Sequence, residues 1–189
     1  MSTVQNKFLI FLIVLCYIPV LFLGLFDVDE GAFASTSLQM IKQKQYLIPT
    51  IGDELRLEKP ILTYWVQVMS IYIFGPNEFA LRLPSIIASF IWAYSFSSFV
   101  NQHTRNVRRS EIFLNLLTLP GVFIMSSAAT ADAFLNLFIT LLMINLFNYS
   151  IKKDDKLLIW SGIYVALGFL TKGLTTVSYT HLTLPTIGC

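Results

Sequence analysis

The chain has 189 residues, of which 55% are hydrophobic and only 13% are charged. Its mean hydropathy of +0.67 excludes an ordinary soluble domain, and its net charge of +2 gives no reason to expect a nucleic-acid partner. The two cysteines, Cys16 and Cys189, cannot form a disulfide framework or a metal site, and the histidines His103 and His181 are isolated. The composition therefore predicts an integral membrane protein.

The first apolar run, residues 8–26, is long enough to cross about 30 Å of hydrocarbon as one helix. It ends in Phe26 and acidic residues rather than in a cleavage site, so we expect a retained span and not a signal peptide. Pro19 and Gly24 are tolerated in a membrane helix, which they can bend. Further spans are predicted at residues 79–100, 112–129, 133–149 and 157–171.

The segment after the first span begins with a surface helix. Over residues 29–44, apolar side chains recur at helical spacing with polar residues between them. Asp29 could cap this helix, serve a functional site, or do both, and Glu30 lies in the first turn, where the helix dipole favours an anion. Turn-forming residues then predict an irregular or hairpin connection over residues 46–58.

Lys59 and Pro60 open a second, shorter apolar stretch. Its 14 uncharged residues, 61–74, are too few for an ordinary span and predict an interfacial or re-entrant helix, with Pro60 in its first turn. The predicted fold is thus all-α and membrane-integral, with about five transmembrane helices and one or two interfacial helices in an outer loop, residues 27–78.

The basic residues predict the orientation of these spans. Three Arg lie in the loop at residues 101–110, three Lys lie in the loop at residues 151–156, and Lys7 precedes the first span. The positive-inside rule places all three segments, and the N-terminus, in the cytoplasm. The outer side of the membrane then holds Asp29, Glu30, Lys59, Asp132 and Lys172.

Carboxylates beside lysines at a membrane face predict a functional site, because such groups are costly to dehydrate. Asp29, Lys59 and Asp132 each abut an apolar helix, whereas Asp27, Asp53, Glu54 and Glu78 are interpreted as solvated loop charges. A carboxylate can take the proton from an attacking hydroxyl, and lysines can stabilise a departing phosphate. These groups therefore suit transfer of a sugar from a lipid phosphate.

Five motifs in order, FDVDEGAFA, RLEKPILTYW, FGPNEFALRLPS, ATADAFL and LGFLTKG, span most of residues 8–175. Together they resemble the bacterial polyprenyl-phosphate-dependent glycosyltransferases of the GT-C type. Within that class, they are similar to the 4-amino-4-deoxy-L-arabinose lipid A transferase and dolichyl-phosphate-mannose-protein mannosyltransferase-like family. The resemblance implies that the chain corresponds to about the first third of such an enzyme.

The resemblance also implies residue roles. Asp29, Glu30 and Asp132 match catalytic or acceptor-orienting acids; Lys59, Lys172 and Arg82 match positions that meet the carrier phosphate; and Glu58 matches a position associated with a divalent metal ion. Where the arabinose transferases carry an Arg and a Tyr, this chain has Gly31-Ala32-Phe33, so the resemblance assigns neither the sugar nor the acceptor.

The function we predict is inverting transfer of a sugar from a polyprenyl-phosphate carrier to a lipid, glycan or protein acceptor, on the outer face of a bacterial inner membrane. The alternative is a non-catalytic transporter or a subunit that binds the lipid carrier. Charges at the outer helix ends, rather than at the membrane midplane, favour the enzyme. A third possibility is that these 189 residues alone are inactive.

The final residues do not fit this pattern. SYTHLTLPTI, within residues 177–189, resembles translated adapter sequence, although a Thr-rich loop is the alternative. We therefore expect residues 1–176 to be the N-terminal part of a transmembrane glycosyltransferase domain and residues 177–189 to be a non-native tail.

Overall fold

A computed structural model describes residues 3–25, 28–104 and 107–173; the predicted tail, residues 177–189, lies outside them. Helices dominate these ranges, which confirms the predicted all-α class. The elements are α1 Thr3–Val20, α2 Val28–Gln43, β1 Thr50–Ile51, β2 Glu54–Leu55, α3 Leu62–Phe74, α4 Glu78–His103, α5 Arg109–Thr118, α6 Pro120–Ser127, α7 Asp132–Lys152 and α8 Asp155–Lys172.

Helix length and composition identify the membrane-crossing elements. Within the described part of the chain, α4 and α7 are each long and apolar enough to cross a membrane, and the bent pair α5 and α6 makes a third crossing if it is counted as one. The apolar helix α1 exposes Phe8, Phe11 and Leu15, side chains that suit contact with lipid. Helices α1 and α8 each lie where the sequence predicted a span. The chain is a multi-pass membrane protein.

The first helix begins and ends earlier than predicted. We expected one span through Phe26, but α1 ends at Val20 and residues 21–23 continue as turns closed by i to i+3 hydrogen bonds, among them Phe22 N to Pro19 O at 3.0 Å. A proline in the last turn cannot donate its own backbone hydrogen bond. The carbonyl groups freed at the end of α1 are taken up by another helix, as described below.

The predicted span at residues 112–129 is also broken. Helices α5 and α6 meet at an angle of 73°, because Pro120 begins α6 and Leu119 before it is extended, with ψ 128°. The Tyr17 hydroxyl donates to Leu117 O at 3.2 Å and is hydrogen-bonded to Ser126 Oγ at 2.8 Å. A side chain of α1 thereby joins both arms of the bend.

The segment between α1 and α4 follows the prediction with one exception. Helix α2 begins at Val28, so Asp29 lies inside its first turn and the predicted N-cap role is wrong. The expected hairpin is present: β1 and β2 pair antiparallel through a turn at Gly52, which has φ +60°. Helix α3 has only 13 residues and packs on α2 and α4, which fixes it against the bundle.

Helix α4 lies at the centre of the bundle and packs against α3, α5, α6 and α7. Small side chains, including Ala88, Ala93 and Ala133, are buried along these contacts, which lets helices approach closely in a membrane. Helix α7 packs along α8, to which a short turn at Lys153 joins it. Because α7 and α8 run antiparallel, the start of α7 and the end of α8 lie at the same end of the bundle.

Candidate functional site

Asp29 and Lys59 form the first of two acid–lysine pairs. Asp29 belongs to the first turn of α2, and Lys59 lies just before α3. The Lys59 Nζ atom is 3.9 Å from Asp29 Oδ2, and the side chains are 23% and 57% exposed, respectively. A long, solvent-exposed contact of this kind contributes about 0–1 kcal/mol. Both groups can therefore exchange partners at little cost in stability.

Asp132 and Lys172 form the second pair. Asp132 is the first residue of α7 and Lys172 the last residue of α8, so antiparallel packing brings them together. The Lys172 ammonium group donates to Asp132 Oδ1, and the two side chains are 30% and 43% exposed, respectively. This pair is closer than the first and is also accessible.

The two pairs lie side by side. Gly173 follows Lys172 and Pro60 follows Lys59, and a Cβ atom placed on Gly173 would lie 3.8 Å from Pro60 Cγ. The backbone of Gly173 has φ +66° and ψ −139°, a region that is essentially restricted to glycine. The glycine of the TKG sequence is therefore required by the turn that ends α8, next to Pro60. Four predicted site residues, Asp29, Lys59, Asp132 and Lys172, lie at one end of the bundle.

The linker before Asp132, residues 128–131, is held by three helices. The Ala129 amide donates to Glu30 Oε1 of α2 at 2.8 Å, and Gln67 Nε2 of α3 donates to Ala129 O at 2.9 Å. Ser85 Oγ of α4 donates to Thr130 O at 3.3 Å. The linker is buried along its length. These bonds fix the start of α7 and hence the position of the Asp132 carboxylate.

Glu30 and Arg82, two further predicted site residues, are completely buried and pair with each other. Arg82 donates from Nε to Glu30 Oε1 at 2.7 Å and from Nη2 to Oε2 at 2.8 Å. It also donates to the carbonyl groups of Val20, Leu23 and Gly24, at and just after the end of α1, at 2.5, 2.5 and 2.9 Å. The pair thus ties α2 and α4 to the end of α1.

Arg56 is a feature of this region that sequence reasoning missed. It lies between β2 and Glu58, and its side chain is only 7% exposed, with Cζ 5.4 Å from the centre of the Phe33 ring. The phenol of Tyr64 is buried nearby. Burial raises the pKa of Tyr64, and the positive charge of Arg56 acts in the opposite direction. Its position two residues before Glu58 was the only sign in the sequence that Arg56 could belong to the site.

Glu58 is exposed, and the described residues do not fit the predicted metal role by themselves. No group of three or more His, Cys, Asp or Glu side chains within residues 3–25, 28–104 and 107–173 could hold a metal ion. A structural zinc site needs about four protein ligands and a catalytic one about three, more than the described residues bring together around Glu58. That role stays a prediction.

This arrangement can bind an anion and move a proton. Lys59, Lys172 and Arg56 supply positive charge within a small area, and Asp29 and Asp132 supply carboxylates that are partly accessible. An incoming phosphate could compete with the carboxylates for the lysines, because half-exposed ion pairs are weak. A carboxylate released in this way could accept a proton.

The helical membrane fold and its arrangement of paired acids and lysines define a GT-C type membrane protein. The family model described as dolichyl-phosphate-mannose-protein mannosyltransferase matches residues 58–184. The chain belongs to this family.

Curated relatives agree with this assignment. The chain is 30% identical over 88% of its length to an undecaprenyl phosphate-alpha-4-amino-4-deoxy-L-arabinose arabinosyl transferase from Wigglesworthia glossinidia brevipalpis, and covers 31% of that protein. It is 27% identical over 82% of its length to the enzyme of the same name from Photorhabdus laumondii, and covers 29% of it. The chain therefore spans about a third of the length of the curated relatives it matches.

Two solved structures share the fold. Both are of ArnT from Cupriavidus metallidurans, one in the apo state and one bound to undecaprenyl phosphate. The apo structure has a TM-score of 0.85 at 18% identity and covers 98% of this chain. The bound structure has a TM-score of 0.83 at 19% identity and covers 99% of this chain. Each comparison covers 36% of the ArnT chain. At this identity the similarity establishes the fold.

Proposed function

We propose that this protein is the N-terminal part of an inverting glycosyltransferase that takes a sugar from a polyprenyl-phosphate carrier. The observation that carries the proposal is the side-by-side placement of the Asp29–Lys59 and Asp132–Lys172 pairs at one end of a membrane bundle. The relatives named undecaprenyl phosphate arabinosyl transferases support the choice of carrier, as does the related fold bound to undecaprenyl phosphate.

In this proposal Lys59 and Lys172 bind the carrier phosphate. Both ammonium groups are partly exposed and already positioned by a carboxylate, so they are ready to accept an anion without a large rearrangement. Negative charge increases on the phosphate as the sugar leaves, and fixed positive groups stabilise that charge more in the transition state than in the ground state.

Asp29 acts as the general base because it is the more exposed of the two paired acids, at 57% against 43% for Asp132. The acceptor oxygen forms a bond to the anomeric carbon of the sugar while the bond from that carbon to the phosphate oxygen breaks. The phosphate leaves with the bonding electrons, and Asp29 takes the acceptor proton. A single displacement inverts the anomeric configuration. Asp132 orients the acceptor or shares the proton.

The isoprenoid chain has a suitable environment nearby. A cavity of about 390 Å³ lies between α3, α4, α7 and α8 and is lined almost entirely by apolar side chains. Leu62 and Leu167, among its lining residues, lie a few positions from Lys59 and Lys172. A carrier with its phosphate at the paired lysines could therefore place its first isoprene units in this cavity.

Glu30 and Arg82 support the site in this account without touching the substrate. Arg82 has five N–H donors, and five hydrogen bonds to Glu30 and to the end of α1 engage it. Glu30 in turn holds the Ala129 amide before Asp132. Their predicted direct roles remain predictions, as does metal binding at Glu58.

The orientation follows from charge. The basic loops around residues 101–110 and 151–156 favour a cytoplasmic position for those helix ends. The paired lysines, at the opposite end of the bundle, then lie on the outer face of a bacterial inner membrane. A lipid, glycan or protein acceptor would be modified on that side. The relatives' names specify an arabinosyl transfer for those proteins; the sugar of this protein is a separate question.

The test is cleavage of a carrier-linked sugar by the complete protein in proteoliposomes. Undecaprenyl-phosphate-linked 4-amino-4-deoxy-L-arabinose and undecaprenyl-phosphate-linked hexoses are supplied with membrane lipid acceptors, and release of undecaprenyl phosphate is followed. We expect release that requires acceptor. Binding of these donors without cleavage would instead favour a carrier-binding subunit, and movement of intact donor across the membrane would favour a transporter.

A further inference from the structure

Arg56 is held in place by its own backbone. It follows the second strand of the hairpin, and its amide donates to Pro49 O at 2.9 Å. The residue is more than nine-tenths buried, and its Nε atom is a buried atom without a hydrogen-bond partner among the described residues. A buried cation of this kind normally has an anion beside it, because dehydrating an ion costs several kcal/mol even after the protein relaxes.

No carboxylate provides that compensation. Within the part of the chain that the structure describes, Arg56 has no acidic group within 4.0 Å, and its Nε atom has no hydrogen-bond partner. Its contact with the face of Phe33 is worth about 0.5–2 kcal/mol in general, which is less than the cost of dehydration. Arg82, also buried, has a bidentate carboxylate and three carbonyl groups.

Arg56 lies next to the paired site. The buried hydroxyl of Tyr64 interacts with the Arg56 guanidinium group, and the charges of Glu58 and Asp29 also reach it. Asp29 is the partner of Lys59. A buried guanidinium group without an acidic partner among the described residues therefore borders the Asp29–Lys59 pair.

We propose that Arg56 binds a phosphate group of a lipid-linked substrate beside Lys59. A guanidinium group matches the oxygens of a phosphate with two parallel N–H donors, and a nearby ammonium group such as that of Lys59 adds a point charge. The inference rests on the proposed function, since a phosphate-bearing lipid must reach this end of the bundle. The phosphate belongs either to the polyprenyl carrier or to an acceptor lipid such as lipid A.

The test compares Arg56→Met with Arg82→Met in the complete protein, reconstituted in phosphatidylcholine nanodiscs. Native mass spectrometry gives the affinity for undecaprenyl phosphate and for lipid A, with undecaprenol and dephosphorylated lipid A as neutral controls. Thermal unfolding without ligand gives the stability of each variant. We expect Arg56→Met to melt at or above the wild-type temperature, because it removes an uncompensated buried charge. Arg82→Met should melt well below it.

We also expect Arg56→Met to weaken binding of one phosphate-bearing lipid by about tenfold to a hundredfold, the range of a charged hydrogen bond, and to leave the neutral lipid unaffected. Loss confined to undecaprenyl phosphate identifies the carrier phosphate, and loss confined to lipid A identifies the acceptor phosphate. Arg56→Lys should retain part of the affinity, because it keeps the charge but not the two parallel donors.

Two results would overturn the inference in different ways. If the wild-type chain prefers phosphate-bearing lipids and Arg56→Met binds them equally well, Arg56 has no ligand role, although the proposed function stands. If the wild-type chain does not distinguish phosphate-bearing from neutral lipids, the proposed function fails and the inference fails with it. If Arg56→Met does not fold, the affinity of Arg56→Lys for phosphate-bearing lipids is the deciding measurement. Wild-type affinity in that variant would exclude a ligand role for Arg56.

Discussion

Glu30 and Arg82 lie 52 positions apart and form a bidentate, fully buried ion pair, with N–O distances of 2.7 and 2.8 Å. The pair joins the end of α1, the start of α2 and the first turns of α4. Through Ala129 it also reaches the linker that begins α7. One ion pair therefore connects the framework of the bundle to the position of Asp132.

Removing either partner should destabilise the protein strongly. Arg82→Met leaves the Glu30 carboxylate buried without its cation, which typically costs about 3–5 kcal/mol, and it also removes the side-chain donors to three carbonyl groups near the end of α1. The free energy of unfolding in detergent, measured by denaturant titration, should fall by that amount. Lys59→Met is the matched control, because its pair is exposed and should change stability by less than about 1 kcal/mol. Equal stability of the two variants would refute the structural role.

Gly173 and Gly162 should respond in opposite directions to replacement by Ala. Gly173 has φ +66°, so Gly173→Ala should cost about 1–3 kcal/mol of backbone strain, even though Pro60 at 3.8 Å leaves room for the methyl group. Gly162 lies inside α8 with nothing within 4 Å of its Cβ position. Gly162→Ala should therefore stabilise the helix by about 0.5–1 kcal/mol. Thermal unfolding of both variants measures this, and a stabilised Gly173→Ala would contradict the assigned turn.

The orientation in the membrane can be measured with single cysteines. In a background where Cys16 and Cys189 are replaced by Ser, Asp53→Cys lies in the exposed hairpin and Asp155→Cys at the exposed start of α8. The positive-inside rule predicts that a membrane-impermeant maleimide labels the first from the periplasm and the second only after the inner membrane is opened. Labelling in the reverse order would move the paired lysines to the cytoplasmic side.

The sequence predicted the helices and the grouping of charges, because both depend on local patterns. Apolar runs and basic loops located most spans, and helix-end positions of Asp132 and Lys172 were enough to expect them on one side. The breaks were less visible. Pro120 interrupts a run that is otherwise uniformly apolar, and α1 ends near Pro19 because Arg82, far along the chain, binds the carbonyl groups there.

Pairing between distant residues could not be read from the sequence. In the sequence, Glu30 and Arg82 are charged residues beside apolar helices, as Asp29 and Lys59 are. Only the tertiary contacts distinguish the fully buried pair from the accessible one. The burial of Arg56 likewise results from the packing of Phe33 and Tyr64 around the hairpin. Charge type and spacing indicate where a site lies, whereas burial determines which charges are available to a ligand.

The most direct test of the central claim is single-turnover sugar transfer by the complete protein carrying Asp29→Asn. The account predicts that release of undecaprenyl phosphate slows by about 100-fold or more, the contribution of a general base, while membrane insertion and thermal stability stay at the wild-type level, since Asp29 is exposed and its ion pair is weak. Asp53→Asn, an exposed acid in the hairpin, is the control and should transfer normally. Wild-type transfer by Asp29→Asn would show that the chemistry does not depend on this carboxylate.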